Sequence, residues 1–77
     1  MSLRAWFHEA KQAHWITPAD IRRQYCRASI LRDNRVVFNI CGNKYRLVVK
    51  INYRAQIVYV RFVGTHSDYD HVNAETI

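Results

Sequence analysis

The sequence predicts an α+β domain, with two N-terminal helices packed on an antiparallel β-meander. Three observations carry this expectation. Apolar residues recur at three- and four-residue spacing through the first 25 or so positions. From Arg35 onward the spacing changes to two. Gly42-Asn43, set between two apolar runs, is a tight-hairpin signal.

Residues 2–14 read as a helix capped by Ser2, with Leu3, Trp6, Phe7, Ala10 and Ala13 on one face. "ITPAD" then interrupts the pattern. Thr17 suits an N-cap, Pro18 the first helical position and Asp20 the N3 position of a second helix. That helix is predicted from Pro18 to Tyr25, burying Ile21 and Tyr25. Residues 26–34 read as irregular, with Ile30 or Leu31 turned inward. Three strands follow at 35–41, 44–51 and 56–64, joined by turns at 42–43 and 52–55. No internal repeat or composition shift divides the chain, so residues 1–77 are expected to form one domain.

The 77 residues carry 12 Lys+Arg against 6 Asp+Glu, a formal net charge of +6. A basic surface suits nucleic acid, an anionic membrane or an acidic protein, and a solvated face is the plain alternative. Nine of the twelve cations are arginine, which favours bidentate phosphate contact and base stacking, so nucleic acid comes first. An acidic protein partner is compatible with it. Cys26 and Cys41 lie in no CxxC pattern and read as reduced thiols. Met1 leads straight into polar sequence, and no apolar run approaches the ~20 residues of a spanning helix. The expectation is a cytoplasmic protein that does not engage a membrane.

A two-residue turn at Gly42-Asn43 pairs Asn39 with Arg46 and Val37 with Val48. A four-residue turn at 52–55 pairs Ile51 with Gln56, Val48 with Tyr59 and Arg46 with Arg61. Alternation then gives an apolar face of Val36, Phe38, Ile40, Tyr45, Leu47, Val49, Ile51, Val58, Val60 and Phe62. The other face carries Asn39, Arg46 and Arg61 in a row, with Lys44, Lys50, Val48 and Tyr59 nearby. Opposed arginines repel by up to roughly 1 kcal/mol, a cost that points to a use for the face.

That use is RNA binding, with arginines on phosphate and Tyr59 available for stacking. His66, Tyr69 and Asp70 follow the last strand directly. Metal-free RNA cleavage needs a group to take the 2′-hydroxyl proton, charge on the phosphate, and a group to protonate the leaving 5′-oxygen. His66 and Tyr69 can share the proton roles, with Arg46, Arg61 and Lys44 on the phosphate. Taken singly, His66 reads as an ordinary loop histidine and Tyr69 as a packing residue. No metal or cofactor is expected: His66 and His71 have no cysteine or third histidine beside them, and there is no Gly-rich phosphate loop.

Phe38-Asn39, Gly42-Asn43-Lys44-Tyr45-Arg46, Thr65-His66 and Tyr69-Asp70 occur in the order and spacing of a family pattern. Together with the lead-in "SLRAWFHEAKQAHW" and "TPADIRRQY", they make the chain resemble the HigB-type toxins of type II toxin–antitoxin systems, in the RelE superfamily. The resemblance implies a ribosome-dependent mRNA endonuclease, or mRNA interferase. Such a toxin enters the A site and cuts by metal-free 2′-hydroxyl attack, which blocks translation. It also implies a cognate HigA-like helix-turn-helix antitoxin, with operator DNA reached only through that partner. The matching positions are Lys44, Arg46, Arg61, His66 and Tyr69, and Asn39, Lys50, Tyr59 and Asp70 join them as RNA-binding candidates. Members of the family carry an additional first strand and a longer first helix. Against that pattern Met1 falls inside the helix and one strand keeps an unpaired edge. The alternatives are a binding remnant of the same fold that no longer cleaves and a structural operon component.

Overall fold

The computed structural model describes residues 2–77. Met1, and with it the expectation that it lies inside the first helix, falls outside the described residues. The element order is α1 (Leu3–Gln12), α2 (Pro18–Gln24), β1 (Ser29–Ile30), β2 (Arg35–Ile40), β3 (Tyr45–Asn52), β4 (Ile57–Thr65) and α3 (His66–Tyr69). The strands form one antiparallel sheet in the order β1-β2-β3-β4. The α+β meander is therefore as the sequence predicts, with β1 and α3 as additions.

Capping defines both long helices. Ser2 Oγ accepts from the Ala5 N–H at 3.1 Å. The Asp20 carboxylate accepts from the N–H groups of Ile16 and Thr17 at 2.9 and 3.0 Å. These bonds satisfy donors that a helix start leaves without intrahelical partners. α1 is shorter than the predicted span, and Tyr25 caps α2 rather than ending it.

The helices cover one sheet face. Trp6, Trp15 and Ile21 pack there with Val36, Phe38, Ile40, Leu47, Val49 and Ile51, all buried. Phe38 is the hub, with the rings of Trp6, Trp15 and Tyr25 at centroid distances of 5.2, 6.1 and 5.1 Å. The Tyr25 hydroxyl donates to Glu9 and so ties α2 to α1.

The first hairpin has the predicted register, with Asn39 opposite Arg46 and Val37 opposite Val48. Gly42 and Asn43 both have positive φ, +62° and +75°, the twist-matched turn that this dipeptide favours.

The second hairpin corrects the prediction. Asn52 pairs with Ile57, so the turn is 53–56 and Ile51 faces Val58 rather than Gln56. Asn52 Oδ1 closes the turn by accepting from the Ala55 N–H at 3.0 Å. Further along, Val49 faces Val60 but Val48 faces Phe62. Arg61 is the extra residue of a β-bulge, and a bulge reverses the face assignment beyond it. Phe62 consequently leaves the helix-covered face. Tyr59 stands opposite Lys50 rather than Val48, and Arg46 stands opposite Gly64 rather than Arg61. Tyr45 and Val60, placed by alternation on the apolar face, are 39% and 55% exposed.

The second face is not a bare cationic surface. Val37 and Val48 are buried there beneath Ala74, with Leu31, Phe62, Tyr69 and Ile77 around them. The C-terminal segment is held by Arg35, itself buried, whose Nε and Nη2 donate to the Ile77 carbonyl oxygen at 3.1 and 2.9 Å. Arg35 Nη1 donates to Asp33 at 3.0 Å, so each nitrogen of the buried guanidinium has a partner.

Candidate active site

Arg46 is the centre of the second face. It lies in β3 between Asn39 of β2 and Gly64 of β4. Its Nη1 donates to Asn43 Oδ1 at 2.9 Å and to His66 Nε2 at 2.6 Å. A guanidinium only donates, so His66 accepts at Nε2 and carries its ring proton on Nδ1. The Arg46 Cζ lies 5.9 Å from the centroid of the Tyr69 ring, within cation–π range.

Local structure puts His66 and Tyr69 there. Thr65 caps α3: its Oγ1 accepts from the Asp68 N–H, and Asp68 Oδ2 accepts from the Thr65 N–H, both at 3.2 Å. The single turn that follows presents His66 at its start and Tyr69 at its end. The Tyr69 ring rests on Phe62, with centroids 6.4 Å apart, so the bulge that turned Phe62 onto this face also supports Tyr69. Gly64 lets α3 approach. A Cβ at Gly64 would come within 2.6 Å of Phe62 Cζ and 3.0 Å of Asp68 Cβ.

The structure thus brings together Arg46, His66 and Tyr69, with Asn39 beside them. It separates other predicted residues. Arg61 is exposed at the bulge, and among the described residues no hydrogen bond or ion pair ties it to the cluster. Lys44 is exposed in the hairpin turn, and Asp70 is exposed as the C-cap of α3. Lys50 lies four residues from Arg46 along β3, ~13 Å at the strand rise. Val48 is buried beneath the C-terminal segment between them. Lys50 Nζ sits 3.7 Å from Asp33, whose carboxyl is held below its ordinary range by its Arg35 hydrogen bond and then by Lys50. Tyr59, 47% exposed, stands opposite Lys50 at that far end.

Asn43 and Gly64 are the site residues that sequence reasoning passes over. Asn43 reads as a turn former, which it is, and nothing in the turn signal says that its amide also holds Arg46. The arrangement leaves Arg46 Nε and Nη2 with no protein hydrogen bond among the described residues. These two groups form the fork that meets two oxygens of a phosphate or carboxylate. No group of three or more His, Cys, Asp or Glu side chains among the described residues could hold a metal ion. No helix among them is long and apolar enough to cross a membrane.

The second face of this small antiparallel sheet thus carries an arginine held against a histidine, with a tyrosine ring beside it. A family model described as HigB_toxin, the RelE-like toxic component of a toxin–antitoxin system, matches residues 1–72, and the chain belongs to that family. It is 40% identical over 42 residues to the "mRNA interferase toxin HigB" of Escherichia coli (strain K12). The same figures hold for the "mRNA interferase HigB" of Escherichia coli O157:H7 and of Shigella flexneri. The matched stretch is 54% of this chain and 40% of each relative, so the match reaches less than half of their length.

Proposed function

We propose that the chain is the toxin of a type II toxin–antitoxin pair and cuts mRNA on the ribosome. The observation that carries this reading is the Arg46 fork, free to take two phosphate oxygens beside His66 and Tyr69. The reaction is attack of a ribose 2′-oxygen on the adjacent phosphorus. The new P–O2′ bond forms as the P–O5′ bond breaks, giving a 2′,3′-cyclic phosphate and a free 5′-hydroxyl. One proton leaves the 2′-hydroxyl and one reaches the 5′-oxygen. His66 and Tyr69 divide these transfers, since both lie at the same guanidinium. Arg46 stabilises the charge that develops on the phosphate, a contribution typically worth ~10²–10³ in rate for one well-aimed donor.

Lys44, Arg61, Lys50, Tyr59 and Asp70 serve as outlying contacts along the RNA and the ribosome, and Asn39 borders the reacting phosphate. The cationic balance of 12 to 6 supports both an RNA substrate and an acidic antitoxin surface. A HigA-like antitoxin with a helix-turn-helix domain is the partner, it alone contacts operator DNA, and the cytoplasm is the compartment.

Primer extension on a reporter mRNA after brief induction tests the reading, with the His66→Ala variant and a reporter lacking its start codon as controls. Cuts inside translated codons, absent from both controls, are the expected result. Equal cutting by wild type and His66→Ala contradicts the assigned role of His66. No cutting by a folded wild type leaves the binding remnant as the correct reading.

A further inference from the structure

A hollow of about 430 Å³ opens at the edge of β2, next to the hairpin turn whose Asn43 holds Arg46. Its walls are Tyr25 and Arg27 from the α2–β1 connection, Asn39 of β2, and Gly42 and Asn43 of the hairpin turn. The volume lies within the ~300–1,000 Å³ of small-ligand sites.

The hollow lies where the main chain of β2 runs on past the end of β1. The Arg35 carbonyl accepts from the Leu31 N–H on the β1 side, and the Asn34 carbonyl accepts from the Ile51 N–H on the β3 side. Alternation along the strand therefore turns the N–H and C=O of odd-numbered β2 residues toward β1. β1 pairs only with Val36 and Val37. The next odd residue is Asn39, whose N–H and C=O project past the end of β1 into the hollow. A donor and an acceptor side by side match the hydrogen-bonding edge of a nucleobase. The exposed Arg27 guanidinium and the Tyr25 ring supply flat surfaces on which a base can stack. The Tyr25 hydroxyl is already engaged by Glu9.

Asn43 belongs to both places, since its Oδ1 holds Arg46 Nη1 while the residue lines the hollow. We propose that this hollow is a nucleobase subsite, taking the base of a nucleotide whose phosphate lies on the Arg46 fork. The proposal rests on the RNA-cleaving reading above. It assigns base selection to Asn39, Asn43 and Arg27, which no part of that reading requires.

The test is amide NMR of the His66→Ala protein titrated with each nucleoside 3′-monophosphate and with inorganic phosphate. The expected result is movement of the Asn39, Gly42 and Asn43 amides by nucleotides and not by inorganic phosphate, with one base preferred. Arg27→Ala, an exposed position, is expected to weaken nucleotide binding about tenfold or more, while inorganic phosphate binds as before. Nucleotides that move only residues around Arg46, as inorganic phosphate does, overturn the subsite. So do nucleotides that move no pocket amide at all. A wild type that cuts mRNA while these amides stay silent overturns the subsite alone. A protein whose pocket binds nucleotides but which cuts no mRNA supports the subsite and contradicts the nuclease reading.

Discussion

Arg46 Nη1 lies 2.6 Å from His66 Nε2, although the two residues are 20 positions apart. The same nitrogen also donates to Asn43 Oδ1 at 2.9 Å. Both Nη1 protons are used within the protein, which fixes the guanidinium plane. The remaining donors, Nε and Nη2, are thereby aimed as a pair. This orientation of one arginine by a turn residue and a helix residue is the central physical feature of the site.

Gly64 sets how closely α3 approaches β4. Gly64→Ala places a methyl against Phe62 and Asp68, and overpacking of this kind costs ~1–3 kcal/mol. The expected outcome in urea unfolding is a lower midpoint with an unchanged m-value. Toxicity is expected to fall further than stability, because His66 and Tyr69 shift with α3. A variant as stable and as toxic as wild type contradicts this placement.

Arg35 joins the C-terminal segment to the sheet through two bonds to the Ile77 carbonyl oxygen. Arg35→Ala removes both, together with the Asp33 contact, and leaves the segment without its anchor over Val37 and Val48. The expected loss is ~1–3 kcal/mol, with faster proteolysis confined first to residues after Tyr69. Limited proteolysis followed by mass spectrometry checks it. First cleavage within α1 or α2 would argue against a local anchor.

The Asp20 carboxyl is lowered to about 2 by the Ile16 and Thr17 N–H groups first and by Arg23 next. A depressed folded-state value contributes stability that is present above the unfolded value and lost as pH falls through the folded one. The contribution is therefore full above about pH 4, near the ordinary carboxyl value of 3.8, and fades toward about pH 2. Thermal melts across that window should show Asp20→Asn less pH-sensitive than wild type. Parallel pH curves for the two proteins would remove Asp20 from the account.

The helices, their caps and the first hairpin were legible in the sequence because each depends on neighbours in the chain. Ser2, Thr17-Pro18 and Gly42-Asn43 act within a few residues of themselves, and the pairing of Asn39 with Arg46 follows from the turn. The bulge was not legible. In "IVYVRFV" every residue but Arg61 is apolar or aromatic, so the pattern marks no break, and Phe62 is apolar enough for either face. Its actual face is decided by Tyr69 and Val48, which approach it only in the folded sheet. The C-terminal cover was hidden for a similar reason, since Arg35 and Ile77 are 42 positions apart. Of the cluster the fold assembles, Arg46 was placeable from its register and His66 and Tyr69 from their position just after the last strand. Arg61 was drawn into the same row by a register that the bulge breaks.

That difference supplies the most direct measurement. Single-turnover cleavage of a defined mRNA in a purified translation system should be compared for wild type, Arg46→Ala, Arg46→Lys and Arg61→Ala, each shown to be folded. Arg46→Ala should lose about 10²–10³ in rate. Arg46→Lys should recover little of it, because one ammonium cannot hold Asn43 and His66 while forking onto a phosphate. Arg61→Ala should lose less than about tenfold, the effect of an outlying phosphate contact. Equal losses at both arginines, or a larger loss at Arg61, would contradict a reacting centre built on Arg46, His66 and Tyr69.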